Sequence, residues 1–443
     1  MKKIKVGVLG AFRGTSMINY CRIADNAEVV AICDNWPVAL EIQKNLHKGL
    51  DITYYDNFED FINHDMDVVV LANYATEHAP FAIKAMKKGK HVISEVLPVQ
   101  NMKEAVELVE CVEETGMSYI FAENYCYMSA PAEMRKLYRE GKIGEIEYAE
   151  CEYIHNCEPI WPFIAYGDKN HWRNYGYATF YCTHSLGPIL HVCGLRPVSV
   201  VGFEGTMNER NLRKGARSGQ FGIEMVTLEN GAIVKSIHGG LYKNSVWYSM
   251  YGSKGRMESA REDAEIGEKL YVNADAYSGE YPHYNNTKPE AYYPTRPLDE
   301  KCAKFGHGGS DFYFMYTAMQ YLLGDKDADI IDVYEALDSF LPGLFAYRSV
   351  LQGGVTLKIP NLRNKEDRDL YRNDTACTDP KAAGDMLIPC FSAGNPDSPD
   401  AVYEHQKQLW LEDLASGDSY SEWVANIGTE FEIGRHTSEL QSR

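Results

Sequence analysis

The run from Ile4 to Asp34 constrains the fold more than any other part of the chain. Ile4 to Leu9 is a short apolar stretch, and the turn Gly10-Ala11-Phe12-Arg13-Gly14 and a helical pattern of apolar residues follow it. Val29 to Cys33 is a second apolar stretch, which ends at Asp34. This order of strand, glycine turn, helix, strand and acid is typical of a dinucleotide-binding βαβ unit.

The position of the acid indicates which dinucleotide binds. Asp34 stands 24 residues after Gly10, close to the spacing of about 20 residues at which an acid binds the adenosine ribose. A carboxylate there repels the additional phosphate of NADP, so we predict NAD as the cofactor. The turn lacks one glycine of the usual pattern, and the alternative interpretation is that Gly10 and Gly14 only end a strand.

Further apolar runs follow at Val68 to Leu71 and at Val92 to Ser94, with a helical pattern from Phe81 to Lys88 between them. Strands that alternate with helices of this length favour a parallel, doubly wound sheet. We therefore predict an N-terminal Rossmann domain in residues 1–122.

From Glu123 onward the pattern changes to strands with one buried face. We predict an α+β domain in residues 123–360 with a large open, mainly antiparallel sheet. The strand candidates are Glu145 to Ile154, Val198 to Phe203, Phe221 to Leu228, Ala232 to His238 and Trp247 to Tyr251.

The remaining residues, 361–443, are polar and rich in charge, and we predict an extension that wraps the two domains. Helices are expected at Ala401 to Ala415 and at Tyr420 to Ile427. The last residues, from Gly434 to Arg443, are interpreted as a disordered tail or a vector remnant.

Charge and cysteine content narrow the class of protein. The formal net charge is -19, which disfavours nucleic acid or an anionic membrane as a partner. The 11 cysteines are odd in number and several lie in apolar stretches, so we expect reduced thiols in a cytoplasmic protein. No apolar run is long enough for a membrane helix, and no cluster has metal-ligand spacing, so we predict no metal.

A phenol and an imidazole, Tyr181 and His184, stand three residues apart ahead of an apolar segment, Leu186 to Val192. We predict a helix with Ser185 as N-cap and Pro188 in the first turn. The positive end of such a helix disfavours a protonated imidazole, so His184 would accept a proton. Taken alone, such a pair is more often a core aromatic and a hydrogen-bonded structural histidine.

Three stretches of the first domain share a pattern with one known family. They are Gly10 to Gly14, Asp67-Val68-Val69-Val70 with His78 beyond it, and Gly89-Lys90-His91-Val92-Ile93-Ser94-Glu95. They resemble the Gfo/Idh/MocA oxidoreductases, which usually continue the last stretch as Glu-Lys-Pro where this chain has Glu95-Val96-Leu97-Pro98. The resemblance implies that the open sheet carries the substrate site and that its free face forms a homo-oligomer.

Seven short motifs also occur in a fixed order along most of residues 1–360. They are Glu95-Val96, Glu123-Asn124-Tyr125-Cys126-Tyr127, Tyr153-Ile154-His155, Trp172-Arg173, Tyr181-Cys182-Thr183-His184-Ser185-Leu186-Gly187-Pro188, Gly306-His307-Gly308-Gly309-Ser310-Asp311-Phe312 and Asp332-Val333-Tyr334. Together they resemble glycoside hydrolase family 109, the NAD-dependent α-N-acetylgalactosaminidases. The resemblance implies that Glu123, Tyr153, Arg173, Tyr181 and His184 hold substrate-site and catalytic positions.

The same resemblance implies a glycosidase that oxidises its carbohydrate substrate at C3, removes the C2 proton, eliminates the C1 leaving group, adds water and reduces C3 again. We assign His184, helped by Tyr181, to the C3 hydroxyl and Tyr153 to the C2 proton. Tyr153 needs a cationic neighbour to ionise, and Arg173 is that neighbour or binds substrate oxygens. Glu123 is expected to hold a sugar hydroxyl or the nicotinamide ribose.

One histidine, two alternative functions and the cofactor-binding residues complete the predictions. His307 either lines the substrate pocket or is a turn histidine. A net NAD-dependent sugar or cyclitol dehydrogenase is the alternative function, and a non-catalytic sugar or NAD sensor is a third hypothesis. The residues predicted to bind the cofactor are Gly10, Phe12, Arg13, Gly14, Asp34, Asn73, His78 and Glu95.

Overall fold

The computed structural model describes residues 3–262, 268–274, 290–303 and 305–416. Its N-terminal part alternates strands and helices, as the sequence predicts. The strands are β1 Ile4–Leu9, β2 Ala27–Cys33, β3 Thr53–Tyr55, β4 Val68–Leu71, β5 His91–Ser94 and β6 Tyr119–Phe121. The helices are α1 Thr15–Ile23, α2 Pro37–Leu46, α3 Phe58–Phe61, α4 His78–Lys87 and α5 Met102–Thr115.

These strands form one parallel sheet in the order β3-β2-β1-β4-β5-β6. The central strands are buried on both faces, which explains why they are continuous apolar runs rather than alternating ones. The order reverses between β1 and β4, and ligands of such sheets bind at that point, outside the carboxyl ends of the strands. The predicted doubly wound sheet is confirmed.

The two glycines of the first turn are required by close packing. Gly10 has a φ of +95°, and a Cβ on it would lie 2.4 Å from the backbone of Ala72, at the end of the neighbouring strand. A Cβ on Gly14 would lie 2.4 Å from the carbonyl oxygen of Gly10. Both positions therefore need glycine for the turn to lie between β1 and β4.

A second sheet has nine strands within the described ranges, in the order β14-β13-β12-β11-β7-β10-β9-β8-β15. Neighbouring strands are antiparallel except β7 and β10, so the prediction of a mainly antiparallel sheet is confirmed. The strands are β7 Ile146–Ile154, β8 Pro197–Glu204, β9 Phe221–Leu228, β10 Ile233–Gly239, β11 Ser245–Gly252, β12 Gly255–Ser259, β13 Leu270–Ala274, β14 Glu290–Tyr292 and β15 Leu357–Lys358.

The helices of this part of the chain are α6 Ser129–Arg139, α7 Trp161–Ala165, α8 Thr183–Cys193, α9 Glu209–Lys214, α10 Asp299–Cys302, α11 Ser310–Leu322 and α12 Val333–Leu351. Of these, α6, α8 and α12 pack against strands of the sheet and cover one of its faces. The other face exposes alternate strand residues, among them Phe203, Ile233 and Tyr251. Assembly of a homo-oligomer through that face stays a prediction.

The helix that follows Tyr181 differs from the prediction. It begins at Thr183, so Ser185 lies inside it rather than at its N-cap, and its hydroxyl donates to the carbonyl of Cys182 at 2.9 Å. Pro188 also lies inside the helix and has no N–H to bond the carbonyl of His184. The hydroxyl of Tyr248, on β11, donates to that carbonyl at 2.6 Å and replaces the missing bond.

The last described helices are α13 Lys365–Tyr371, α14 Pro380–Ala383 and α15 Asp400–Ser416. The extension contacts both parts of the chain: Arg372 binds Glu110 of α5 at 2.7 Å, and the hydroxyl of Tyr403 donates to the carbonyl of Gly215 at 3.1 Å. The helix expected at 401–415 is confirmed, whereas the helix at 420–427 and the terminal tail lie outside the described residues. A search of the described helices finds none with the length and apolar character needed to cross a membrane.

Candidate active site

One cavity of about 1190 Å³ lies between the glycine turn and the second sheet. Most of the predicted site residues line it: Gly10, Phe12, Arg13, Asp34, Asn73 and Glu95 from the first domain, and Tyr153, Arg173, Tyr181, His184 and His307 from the second. Ligand pockets usually measure roughly 300–1,000 Å³, so the cavity is large enough for a dinucleotide together with a small substrate.

Three predicted residues lie behind the cavity wall. Gly14 packs against Gly10, as described above. His78 is buried at the start of α4, and its Nδ1 lies 2.9 Å from the carbonyl oxygen of Leu97. Burial lowers the pKa of His78 to about 4, so it is neutral and supports the segment after Glu95. Glu123 is the third, and its contact is described below.

The first-domain side of the cavity fits a dinucleotide. The carboxylate of Asp34 lies at the end of β2 and accepts from the backbone N–H groups of Ala11 at 2.7 Å and Trp36 at 2.8 Å. Among the described residues no side chain caps the N-terminus of α1, although the N–H of Thr15 donates to the carbonyl of Phe12 at 3.2 Å; this end of the helix fits a pyrophosphate. Asn73 has a buried Oδ1 with no hydrogen-bond partner among the described residues. Asp34 is thus placed for the ribose and the turn for the phosphates.

Arg13 of the glycine turn is held by two carboxylates. Its guanidinium donates to both oxygens of Asp311, at 3.0 and 3.1 Å, and lies 2.6 Å from Glu95. Burial, opposed by Arg13, raises the pKa of Glu95 to about 7. Burial raises the pKa of Asp311, but Arg13 and His307 outweigh this effect and hold it well below its usual range. Arg13 is therefore committed to an ion-pair network between the two domains.

Two further side chains complete this network. The amide of Asn124 donates to Asp311 at 3.0 Å, and Nδ1 of His307 lies 3.2 Å from the same oxygen. His307 has a φ of +56° and lines the cavity, so it is both a turn histidine and a wall residue. Asp311 was part of a sequence motif but was not predicted as a site residue, because its partners come from distant segments.

His184, predicted as catalytic, and Glu123, predicted to bind substrate, are in direct contact. Nδ1 of His184 lies 2.7 Å from Oε1 of Glu123, and both side chains are buried. Gly187 leaves room for this approach, since a Cβ there would lie 3.3 Å from Cγ of Glu123. A carboxylate that accepts from Nδ1–H leaves Nε2 as a proton acceptor. Glu123 thus orients His184 rather than facing the cavity as a ligand for a sugar hydroxyl.

Three tyrosine rings surround the imidazole of His184. The ring centroid of His184 lies 4.5 Å from that of Tyr125, 4.7 Å from that of Tyr153 and 5.3 Å from that of Tyr181. The hydroxyl of Tyr153 also lies 3.0 Å from Nδ1 of His155. The imidazole is therefore fixed in position by rings on its sides and a carboxylate behind it.

Arg173 acts on a different tyrosine from the one we expected. It lies over the ring of Trp172 at 4.4 Å and acts electrostatically on Tyr181. Burial raises the pKa of Tyr181 and Arg173 opposes that rise. Tyr153 has no such cation among its main electrostatic partners, and burial raises its pKa well above the usual value. The expected pairing of Arg173 with Tyr153 is replaced by a pairing with Tyr181.

Sequence reasoning did not identify His238 as a site residue. Its Nε2 accepts from the backbone N–H of Tyr181 at 2.9 Å, so its proton resides on Nδ1. Burial lowers the pKa of His238 to about 3, and no described residue bonds its Nδ1. The sequence could have indicated His238 only through its position near the end of a predicted strand.

The first part of the chain is similar to a family of known proteins. Residues 4–122 match a family model described as "Oxidoreductase family, NAD-binding Rossmann fold" under the name GFO_IDH_MocA. The Gfo/Idh/MocA resemblance is confirmed. With it, the prediction of NAD as the cofactor of this Rossmann domain is confirmed.

The narrower resemblance is supported over most of the chain. The chain is 26% identical over 385 residues to glycosyl hydrolase family 109 protein 4 of Phocaeicola vulgatus, which covers 76% of this chain and 74% of that protein. It is 26% identical over 409 residues to a glycosyl hydrolase family 109 protein of Solibacter usitatus, covering 81% and 88%. Together with the Gfo/Idh/MocA Rossmann domain, these relatives support an NAD-dependent enzyme, either a glycosidase or a dehydrogenase.

Solved structures confirm the fold class. The WlbA dehydrogenase from Bordetella pertussis, crystallised with NADH and UDP-GlcNAcA, has a TM-score of 0.63 to this chain at 19% sequence identity. The match covers 81% of this chain and 98% of that one. At this identity the likeness shows the fold alone.

Proposed function

We propose that this protein is an NAD-dependent glycoside hydrolase that oxidises C3 of its sugar only transiently. One observation carries the proposal: His184, held from behind by the buried carboxylate of Glu123, lines the same cavity as the dinucleotide residues of the first domain. An imidazole oriented by a carboxylate is suited to remove a hydroxyl proton while hydride leaves the same carbon. Similarity to glycosyl hydrolase family 109 proteins supports the same assignment.

The cofactor supplies the redox chemistry: NAD⁺, when bound, accepts the C3 hydride and returns it at the end of the cycle. The protein supplies positioning and proton transfer. Nε2 of His184 takes the C3 hydroxyl proton, and Glu123 stabilises the imidazolium that forms. Tyr125 and Tyr153 pack against the ring and keep it from turning away.

A ketone at C3 acidifies the hydrogen at C2, and a second base must remove that hydrogen before the C1 substituent can leave. We assign this step to Tyr181, because the charge of Arg173 opposes the rise that burial causes in the pKa of this phenol, whereas Tyr153 has no cation among its main electrostatic partners. Tyr153 stays protonated at neutral pH, since burial raises its pKa. Tyr153 therefore serves as a hydrogen-bond donor to the sugar. This assignment reverses the roles expected from the sequence for the two phenols.

The alternative is a net sugar dehydrogenase that releases NADH. In the Gfo/Idh/MocA pattern a lysine follows the glutamate at position 95, whereas here Val96 occupies that position and lines the cavity. Valine cannot transfer a proton. A dehydrogenase on this scaffold would have to use His184 as its base, so the two functions share a catalytic pair and differ in what is released.

One assay separates the two functions. The protein is incubated with p-nitrophenyl glycosides of both anomers and a catalytic amount of NAD⁺, while nitrophenol and NADH absorbance are followed together. Nitrophenol without accumulating NADH is the expected result. Stoichiometric NADH with an oxidised sugar would establish the dehydrogenase instead. His184→Ala protein serves as the control for background hydrolysis.

A further inference from the structure

Lys214 is a buried cation that faces the cavity without a carboxylate partner. It is the last residue of α9, only 6% of it is exposed, and it lines the cavity wall. Its ammonium lies 5.0 Å from the ring of Trp161. Within the described ranges no carboxylate forms an ion pair with it. Glu158, the acid that acts on Lys214, is itself bound to Nε of Arg213 at 2.6 Å.

A second cation lies on the same part of the wall. Arg173 forms no ion pair with a carboxylate in the part of the chain that the structure describes. His155 and both cations act electrostatically on Cys157, which also lines the cavity, and so they belong to one local cluster. Positive charge is therefore concentrated at this end of the cavity.

The cluster lies beside the catalytic groups. His238 accepts from the N–H of Tyr181, and Gly240 follows two residues later. A Cβ on Gly240 would lie 3.2 Å from the ammonium of Lys214, so glycine leaves the ammonium accessible from the cavity. Lys214 and Tyr181 therefore lie beside positions 240 and 238 of the same chain segment, and both line the cavity.

An unpaired buried charge costs free energy, and burial lowers the pKa of Lys214 accordingly. Proteins usually pair a buried lysine with an acid, and at a ligand cavity the ligand itself can supply the anion. We propose that the sugar bound here carries an anionic group, a carboxylate or a sulfate ester, which pairs with Lys214 beside Arg173. This inference rests on the proposed function for the statement that the ligand is a sugar.

The first test measures binding and needs no turnover. NAD-loaded protein is titrated calorimetrically with matched free sugars: glucose and galactose, their uronates, and their 6-sulfates. At least one anionic member of a pair should bind about tenfold or more tightly than its neutral partner, because charge-assisted hydrogen bonds are the strong ones. Comparison of uronate with sulfate identifies the anionic group. Equal affinity within every pair overturns the proposal.

Variants assign the preference to Lys214. Lys214→Met should remove the difference between anionic and neutral sugars, and Lys214→Arg should retain most of it. Lys169→Met is the matched control, since Lys169 also lines the cavity but its ammonium is bound to Asp400 at 2.9 Å. This control should keep the anion preference. An unchanged preference in Lys214→Met protein that still melts as the wild type and binds NAD overturns the proposal.

Turnover then separates this inference from the proposed function. Lys214-dependent binding of anionic sugars without cleavage of any glycoside removes the hydrolase function and leaves the anion site standing. Cleavage of neutral and anionic glycosides with equal kcat/KM, together with equal binding, removes the anion site and leaves the hydrolase function standing. A higher kcat/KM for the anionic glycoside that is lost in Lys214→Met supports both.

Discussion

Oε1 of Glu123 lies 2.7 Å from Nδ1 of His184, although 61 residues separate the two along the chain. Glu123 follows the last strand of the Rossmann sheet, and His184 lies in the first turn of a helix of the second domain. The imidazole of His184 is thus aligned by a group at the point where the chain leaves the Rossmann sheet. The orientation of this imidazole therefore depends on how the segment after β6 packs against α8.

Removal of either member of this pair should reduce turnover without loss of the cofactor. We expect His184→Ala to lower kcat by about 10²-fold or more, the usual contribution of a general base. Glu123→Gln should lower kcat less and should change the pH–rate profile, because an amide no longer stabilises the imidazolium. Stopped-flow turnover and NAD titration measure both quantities. Wild-type kcat and pH dependence in Glu123→Gln would remove Glu123 from the mechanism.

The two phenols should differ in their effect on the C2 hydrogen. Tyr181→Phe is expected to slow solvent-deuterium uptake at C2 by about 10²-fold or more, because it removes the base that Arg173 activates. Tyr153→Phe should weaken sugar binding and leave exchange at C2 largely intact. Mass spectrometry of recovered sugar after incubation in D₂O measures the uptake. A larger loss of exchange in Tyr153→Phe would restore the assignment that the sequence suggested.

Asp34 should determine the choice between NAD and NADP. Asp34→Asn keeps an acceptor oxygen for only one of the two N–H groups, those of Ala11 and Trp36, and removes the negative charge beside the ribose. We expect NAD affinity to fall about tenfold and NADP affinity to rise relative to it. Fluorescence titration with the two reduced cofactors measures the ratio. Asn73→Ala, on the same cavity wall, is the control that should weaken both cofactors alike.

Burial of Glu224 should make folding stability fall as pH rises. Glu224 is buried on β9, and burial raises its pKa from 4.5 to about 8. Between these values the folded protein holds a proton that the unfolded chain has released. The contribution of Glu224 to the free energy of unfolding is therefore complete below pH 4.5 and is lost progressively toward pH 8. Glu224→Gln removes this dependence and should raise Tm at pH 9 more than at pH 5.

Calorimetric melting at the two pH values checks the prediction. Glu229→Gln is the matched control, because Glu229 is exposed and follows the same strand. The control should shift Tm little at either pH. An equal shift of Glu224→Gln at pH 5 and pH 9 would show that the carboxyl does not titrate in this range.

The buried strands could be predicted from the sequence, because an apolar run bounded by turns has few alternatives. Ile4–Leu9, Val68–Leu71 and Phe221–Leu228 have the predicted ends. The start of α8 could not be predicted. A proline is normally excluded from a helix interior because it leaves one backbone carbonyl without a hydrogen bond, so Pro188 was placed in the first turn. Tyr248 satisfies that carbonyl from 64 residues away. Long-range hydrogen bonds of this kind leave no local signal.

In the candidate site, too, local patterns could be predicted from the sequence and long-range contacts could not. The dinucleotide turn and the Tyr181–His184 pair are local patterns and were found. The partners that assign roles to them, Glu123 for His184 and Arg173 for Tyr181, are fixed by tertiary contacts. Lys214 gave no signal, because it ends a short charged helix that has the composition of a solvated one.

The ion pair between Arg13 and Asp311 has a consequence for cofactor exchange. The turn that would cover the pyrophosphate is fastened to a helix of the other domain, so opening it breaks two hydrogen bonds to a buried acid. Slow release of the dinucleotide would limit an enzyme that discharges NADH in every cycle. It places no limit on one that reoxidises its nicotinamide in place, for which a long residence time is an advantage.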